Sequence, residues 1–242
     1  MKNLSLWSIT LIALTFTSSC TSDATVYEDP AAVSDSANSD DYLMRGGTVS
    51  NPDNAYDTVG ALYADITEEY LDSEPEITSI ANTIIAIENI ANLDSRFLAL
   101  KSQDYLSPSA TRIGALVSNE AISLDNLPIS APAKTNLVRF IDSLMVYQDA
   151  DTDFDSIYDY IVDFEAGVIN DILYTSTDRK VLLFTGSIAR HAFDVQRKRR
   201  KNRDRDWDLS WGSIYAGSEG ASENEAQGVI MSVVTTIVLN NN

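Results

Sequence analysis

From residue 54 to the end of the chain, apolar side chains recur every three or four positions, the period of one helix face. Val59, Leu62, Tyr63, Ile66 and Tyr70 make a first stripe within Ala55 to Leu71. A second begins at Ser73-Glu74-Pro75-Glu76, where Ser73 and Glu76 have capping-box spacing and Pro75 suits a first turn. It continues through Ile77, Ile80, Ile84, Ile87 and Ala91 toward Leu98. Ser107-Pro108 opens a third helix toward Leu116 and Val117, and Pro128 and Pro132 bracket a linker. The fourth runs from Ala133 to Tyr147 through Leu137, Phe140, Ile141, Leu144 and Met145. Asp153 starts a fifth, with Ile157, Ile161, Phe164, Val168, Ile172 and Leu173. A sixth starts near Ser176 and carries Val181, Phe184, Ile188, Ala192 and Val195.

No alternating strand pattern and no Asn-Gly or Asp-Gly hairpin signal interrupts the series. Four of the ten glycines fall between 212 and 228, and small residues at such spacing let helix backbones approach closely. Ser222 and Glu225 have capping-box spacing, which starts a last helix running to Leu239. Its β-branched end, Val233 to Val238, would lack a strand partner, so helix is the better reading. The pattern predicts an all-α fold, a single-core bundle of about six to eight helices over 54–239.

The start of the chain follows other rules. Met1 and Lys2 precede an apolar run from Leu4 to Phe16, then the small residues Thr17-Ser18-Ser19 and Cys20. The run is shorter than the ~20 residues of a membrane span and has the anatomy of a secretory signal. Ending on the only cysteine, it resembles the lipobox of bacterial lipoproteins, with Thr17 where that family usually has Leu. The resemblance implies a signal peptide over 1–19 and an acylated Cys20, hence a membrane anchor through lipid. Residues 20–53, rich in Ser, Asp, Asn, Ala and Gly, then serve as a flexible tether. The acidic residues Asp23, Glu28 and Asp29 resemble the surface-export signals of Bacteroidota lipoproteins. That implies the outer membrane and the cell surface.

Charge sharpens this picture. The 242-residue chain carries 36 Asp and Glu against 17 Lys and Arg, a formal net charge of −19. That total disfavours a protein that coats nucleic acid. Ten of the seventeen cations lie between Arg179 and Arg205, while Asp142 to Asp178 holds ten acids and no base. Arg197, Lys198, Arg199, Arg200, Lys201, Arg203 and Arg205 form the candidate patch for an anionic partner, such as a headgroup or surface polysaccharide. The competing reading is a solvated helix end set against the protein's own acidic surface. Trp207 offers a stacking face, but no nucleic-acid motif accompanies it.

Candidate chemistry is sparse. Asp149, Asp151, Asp153 and Asp155 alternate as calcium-loop ligands do. Counted from Asp149, however, the sixth position is Phe154 rather than Gly and the twelfth is Tyr160 rather than Glu. An acidic helix start explains the run better. One cysteine and one histidine rule out multi-cysteine and two-imidazole metal sites, so neither a metal nor another cofactor is expected. His191 in Ser187-Ile188-Ala189-Arg190-His191 does not form a nucleophile elbow. No residue is singled out as catalytic, and no pair among the acids stands apart as a hydrolase site.

The stretch Asn51-Pro52-Asp53-Asn54-Ala55-Tyr56-Asp57-Thr58-Val59-Gly60, with Ser187-Ile188-Ala189-Arg190, the tryptophans Trp207 and Trp211 and the small-residue tail, resembles an uncharacterised group of secreted Bacteroidota proteins. Members often carry His-Asn shortly after the first glycine, where Tyr63-Ala64 stands here. The resemblance implies a fold and an address and brings no activity. The leading expectation is a non-enzymatic, membrane-anchored envelope lipoprotein that binds an envelope protein or an anionic surface polymer. The alternatives are a membrane-perturbing effector acting through 207–239 and a carboxylate-dependent hydrolase.

Overall fold

In the computed structural model the described residues are 49–73, 78–118, 123–202 and 211–241, with the side chains of 201 and 202 excepted. The expected signal, Cys20 and most of the expected tether lie outside them, as do Glu74, Pro75, Glu76 and Ile77 of the second predicted helix start. Among the described residues every regular element is helical. They are α1 (Asp57–Asp72), α2 (Ile80–Ala91), α3 (Ser95–Leu100), α4 (Ala110–Val117), α5 (Ala131–Asp149), α6 (Phe154–Asn170), α7 (Ser176–Asn202), α8 (Trp211–Glu223) and α9 (Glu225–Leu239). A 3-10 turn covers Leu124–Asn126. They belong to one compact unit, Gly47–Asn242. The all-α bundle predicted from the stripes is the observed architecture, with nine α-helices among the described residues where the pattern predicts about six to eight.

The extra helices come from local stops inside long stripes. The second stripe breaks at Asn92-Leu93-Asp94, where Asp94 caps α3 by accepting from the Arg96 amide. Ser109 caps α4, Ser130 caps α5 with Pro132 in its first turn, and Asp153 caps α6. Pro132 therefore starts a helix rather than closing a linker. Ile172 and Leu173 do not extend the fifth stripe: α6 ends at Asn170 and these two are 89% and 76% exposed. Thr175 and Asp178 cap α7 reciprocally: the Asp178 amide donates to Thr175 Oγ1 at 3.1 Å and the Thr175 amide to Asp178 Oδ2 at 2.9 Å. Asp178 also accepts from the Ser130 amide at 2.7 Å, tying the starts of α5 and α7 together.

Helix α7 is the axis of the bundle. Every residue from Val181 to Gln196 is buried, so its whole circumference is covered, as for a central helix. Helix α1 packs closely along it because Gly60 has no side chain. A methyl there would sit inside His191 and Ser187.

The C-terminal hairpin fills the far side of the core. In α8, Gly212 to Ala221 is buried apart from Glu219, and in α9 so are Ala226 and Gly228 through Val238. A Cβ on Gly220 would lie 2.6 Å from Gly228 Cα, so the two backbones touch. The cap of α9 is Asn224, whose side chain accepts from the Gln227 amide. Ser222, read as the cap, instead donates to the Glu219 carbonyl. Serines and threonines stitch the hairpin inward: Ser232 Oγ donates to the Ser213 carbonyl at 3.0 Å, and Thr185 and Ser218 hydroxyls meet at 2.8 Å. Among the described residues no helix is long and apolar enough to cross a membrane.

Candidate functional site

Two polar assemblies stand out, one closed and one open. The closed one joins the Asn51 to Asp57 stretch to Ser187 and Arg190. Residue Tyr56 begins α1 without a side-chain cap. Ser187 of α7 does that work: its Oγ accepts from the Gly60 amide at 3.0 Å and donates to the Asp57 carbonyl at 3.0 Å. One turn along α7, Arg190 is fully buried. Its guanidinium donates to Asp57 Oδ1 at 2.7 Å, to Glu165 Oε1 at 3.2 Å and to the Val49 carbonyl. Glu165, also fully buried, accepts from Asn51 Nδ2 at 2.6 Å and Asn54 Nδ2 at 2.8 Å. Gly186 makes room for it, since a Cβ there would lie 2.8 Å from Glu165 Oε1.

Asn51 was read as part of the tether, yet it is only 6% exposed. The ordered chain thus enters the core before residue 54. Asn, Pro and Asp are turn residues by habit; here the Asn51 and Asn54 side-chain amides satisfy the buried Glu165 carboxylate.

The electrostatics follow from burial and these donors. Burial raises the Asp57 carboxyl, but the Asn51 amide, the Ser50 hydroxyl and Arg190 outweigh it and hold it below the ordinary range. Burial raises Glu165 despite Arg190, Asn51 and Asn54. Burial first, and Arg190 second, push His191 down to about 4. Its Nε2 lies 3.9 Å from Asp57 Oδ1, and the ring is neutral near pH 7. Arg190 and Glu165 contact no solvent, so the cluster ties the leading segment to α6 and α7 instead of meeting a substrate. The Tyr63 hydroxyl donates to Thr236 Oγ1 at 3.1 Å. Burial raises that phenol to about 12.

The open assembly is a cleft of about 430 Å³. One wall is a single face of α7: Phe193, Gln196, Arg197 and Arg200 follow the i, i+3, i+4, i+7 spacing. The other is the α5–α6 connection, with Tyr147, Gln148, Asp151 and Phe154. That connection is a Schellman turn: the Asp151 amide donates to the Gln148 carbonyl and the Thr152 amide to the Tyr147 carbonyl, both at 3.0 Å. Asp151 occupies its left-handed position, φ 50°, where glycine is usual. Among the described residues no other non-glycine has positive φ.

The predicted cationic patch divides here. Arg197 and Arg200 line the cleft. Lys198 and Arg199 point elsewhere: Lys198 reaches Asp194 at 2.9 Å and Glu68 at 3.6 Å, and Arg199 reaches Asp72 at 3.7 Å. The side chains of Lys201, Arg203 and Arg205 lie outside the described residues, as does Cys20. Arg197 is held in place twice. Its Nη2 meets Asp194 Oδ1 at 2.5 Å, and its guanidinium carbon sits 4.4 Å from the Phe154 ring centre.

The aspartate run is also distributed. Asp149 ends α5 and Asp155 lies in the first turn of α6. Asp153 accepts from the Ser156 amide at 3.0 Å and the Ser156 hydroxyl at 2.7 Å, which hold its carboxyl below the ordinary range. A general acid needs the opposite shift. No group of three or more candidate metal ligands occurs among the described residues.

The sequence does not single out the aromatic half of the cleft, although it carries the α7 spacing. Glu165 also carried a signal: it falls in register with Ile157, Ile161 and Val168, and a carboxylate on an apolar stripe calls for a buried partner. Compared with known proteins, the chain matches no family model, no curated protein and no solved structure.

Proposed function

We propose that this chain is a lipid-anchored cell-envelope protein, held through Cys20, whose helical domain serves as a binding module. The observation that carries the reading is how the leading segment joins the domain. Val49, Asn51, Asn54 and Asp57 are bonded to Arg190 and Glu165 in the core. Force from a lipid on Cys20 would then reach the helical domain at residues 49–57 and end on buried charged hydrogen bonds. Burial of the α8–α9 hairpin weighs against membrane perturbation, because its apolar side chains pack the core. Asp153 is occupied in capping α6, which weighs against its serving as the acid of a carboxylate hydrolase.

Cells expressing the chain are fed a clickable fatty acid and fractionated. The expected result is labelled protein in the membrane fraction, and unlabelled protein released from it for Cys20→Ser. Label and membrane retention unchanged by Cys20→Ser overturn the anchor.

A further inference from the structure

The cleft between the α5–α6 turn and α7 has the size and lining of a small-molecule site. Its volume, about 430 Å³, lies in the usual range for such pockets, and its walls combine aromatic faces with a few convergent polar groups. Phe154, Tyr147 and Phe193 supply flat apolar surface. Gln196 Nε2 donates to Gln148 Oε1 at 3.3 Å, which sets a polar amide pair in the lining. Arg197 and Arg200 lie one turn apart on the same face and bring two guanidinium groups to the cavity.

Two acids, Asp151 and Asp153, line the cleft beside the guanidinium groups. Both oxygens of Asp153 are engaged by Ser156. Asp151 is 96% exposed and stands 3.8 Å from Arg200 Nη1, an exposed pair of the kind that contributes little. Arg197 is already oriented by Asp194 and Phe154, which reduces the ordering that binding would require.

We propose that this cleft binds a small organic anion with a flat apolar body, its acid group met by Arg197 and Arg200 and its body laid against Phe154 and Tyr147. A guanidinium matches a carboxylate in shape and charge, and the rings accept the rest of the molecule. The inference stands on the helical domain alone and is independent of the anchor at Cys20.

The test titrates the full chain with naphthalene-2-carboxylate, followed by calorimetry or chemical-shift changes. 2-Naphthylmethanol serves as the neutral counterpart and acetate as the anion without a body. The carboxylate is expected to bind about tenfold more tightly than either. Arg200→Gln and Arg197→Gln each weaken it by about tenfold, while Lys134→Gln, whose amine bonds the Asp125 carbonyl near the start of α5, leaves it unchanged. Circular dichroism checks each variant; if one fails to fold, the other and the wild-type comparison of the three probes decide. Equal affinity for the neutral counterpart, full affinity in the folded Arg variants, or no carboxylate binding at millimolar concentration overturns the proposal.

Discussion

Arg190 Nη2 donates to Asp57 Oδ1 at 2.7 Å, joining the start of α1 to the middle of α7 across 133 residues of sequence. The same guanidinium holds Glu165, whose side chain is sealed from solvent. Removing one member of a buried ion pair leaves a bare charge, which costs about 3–5 kcal/mol. Arg190→Leu is therefore expected to destabilise the fold by about that amount in urea denaturation. The double variant Arg190→Leu with Glu165→Leu recovers part of the loss. A single-variant cost under about 1 kcal/mol would show that the cluster does not hold the leading segment.

The histidine beside this cluster makes stability depend on pH. His191 in the fold takes a proton only near 4, against 6.5 for an ordinary imidazole. Above 6.5 both folded and unfolded chains are neutral at this ring, and nothing is lost. As pH falls from 6.5 to 4 the unfolded chain gains a proton that the fold refuses, so stability drops by about 3 kcal/mol. Asp65, Asp194 and Asp57 pull the ring upward and are outweighed. Asp57 itself is held low, so its contribution disappears only at more acid pH, below the ordinary carboxylate range. Glu165 is raised, so it gains its proton in the fold first as pH falls and offsets part of the loss. The stability of His191→Gln is expected to vary little between pH 6.5 and 5; an unchanged slope would assign the effect elsewhere.

Two glycines should respond in opposite directions to the same substitution. Gly220→Ala places a methyl against the Gly228 backbone, and such overpacking costs about 1–3 kcal/mol. Gly167, within α6, has nothing within 4 Å of its Cβ position. There alanine gains about 0.5–1 kcal/mol from helix propensity. Paired thermal melts check the contrast, and a stable Gly220→Ala would mean that the hairpin packs less closely.

Asp151→Gly is expected to stabilise the chain by up to about 1 kcal/mol, because glycine adopts φ 50° without a Cβ penalty. Its exposed pair with Arg200 contributes little in return. Chemical denaturation measures the gain; a loss would show that the carboxylate matters to the fold.

Most of the helices could be read from the chain because their determinants lie within a turn of each other. Asp153 caps α6 through an amide three residues away, and Val59, Leu62, Tyr63, Ile66 and Tyr70 define one side of α1 by spacing alone. The same locality explains the misplaced α9 cap: Ser222 and Asn224 both offer an oxygen, but Ser222 lies inside α8 while Asn224 follows its end.

The sequence by itself determined an all-helical chain, its main apolar faces and a cationic stretch on α7. Tertiary structure alone decided which cations face a cavity and which meet the protein's own acids. It also brought Asn51, Asn54, Asp57, Glu165 and Arg190 together. The reason is distance along the chain: helix periodicity reports neighbours three and four residues apart, whereas the partners of Glu165 lie up to 114 residues away and meet only when helices cross.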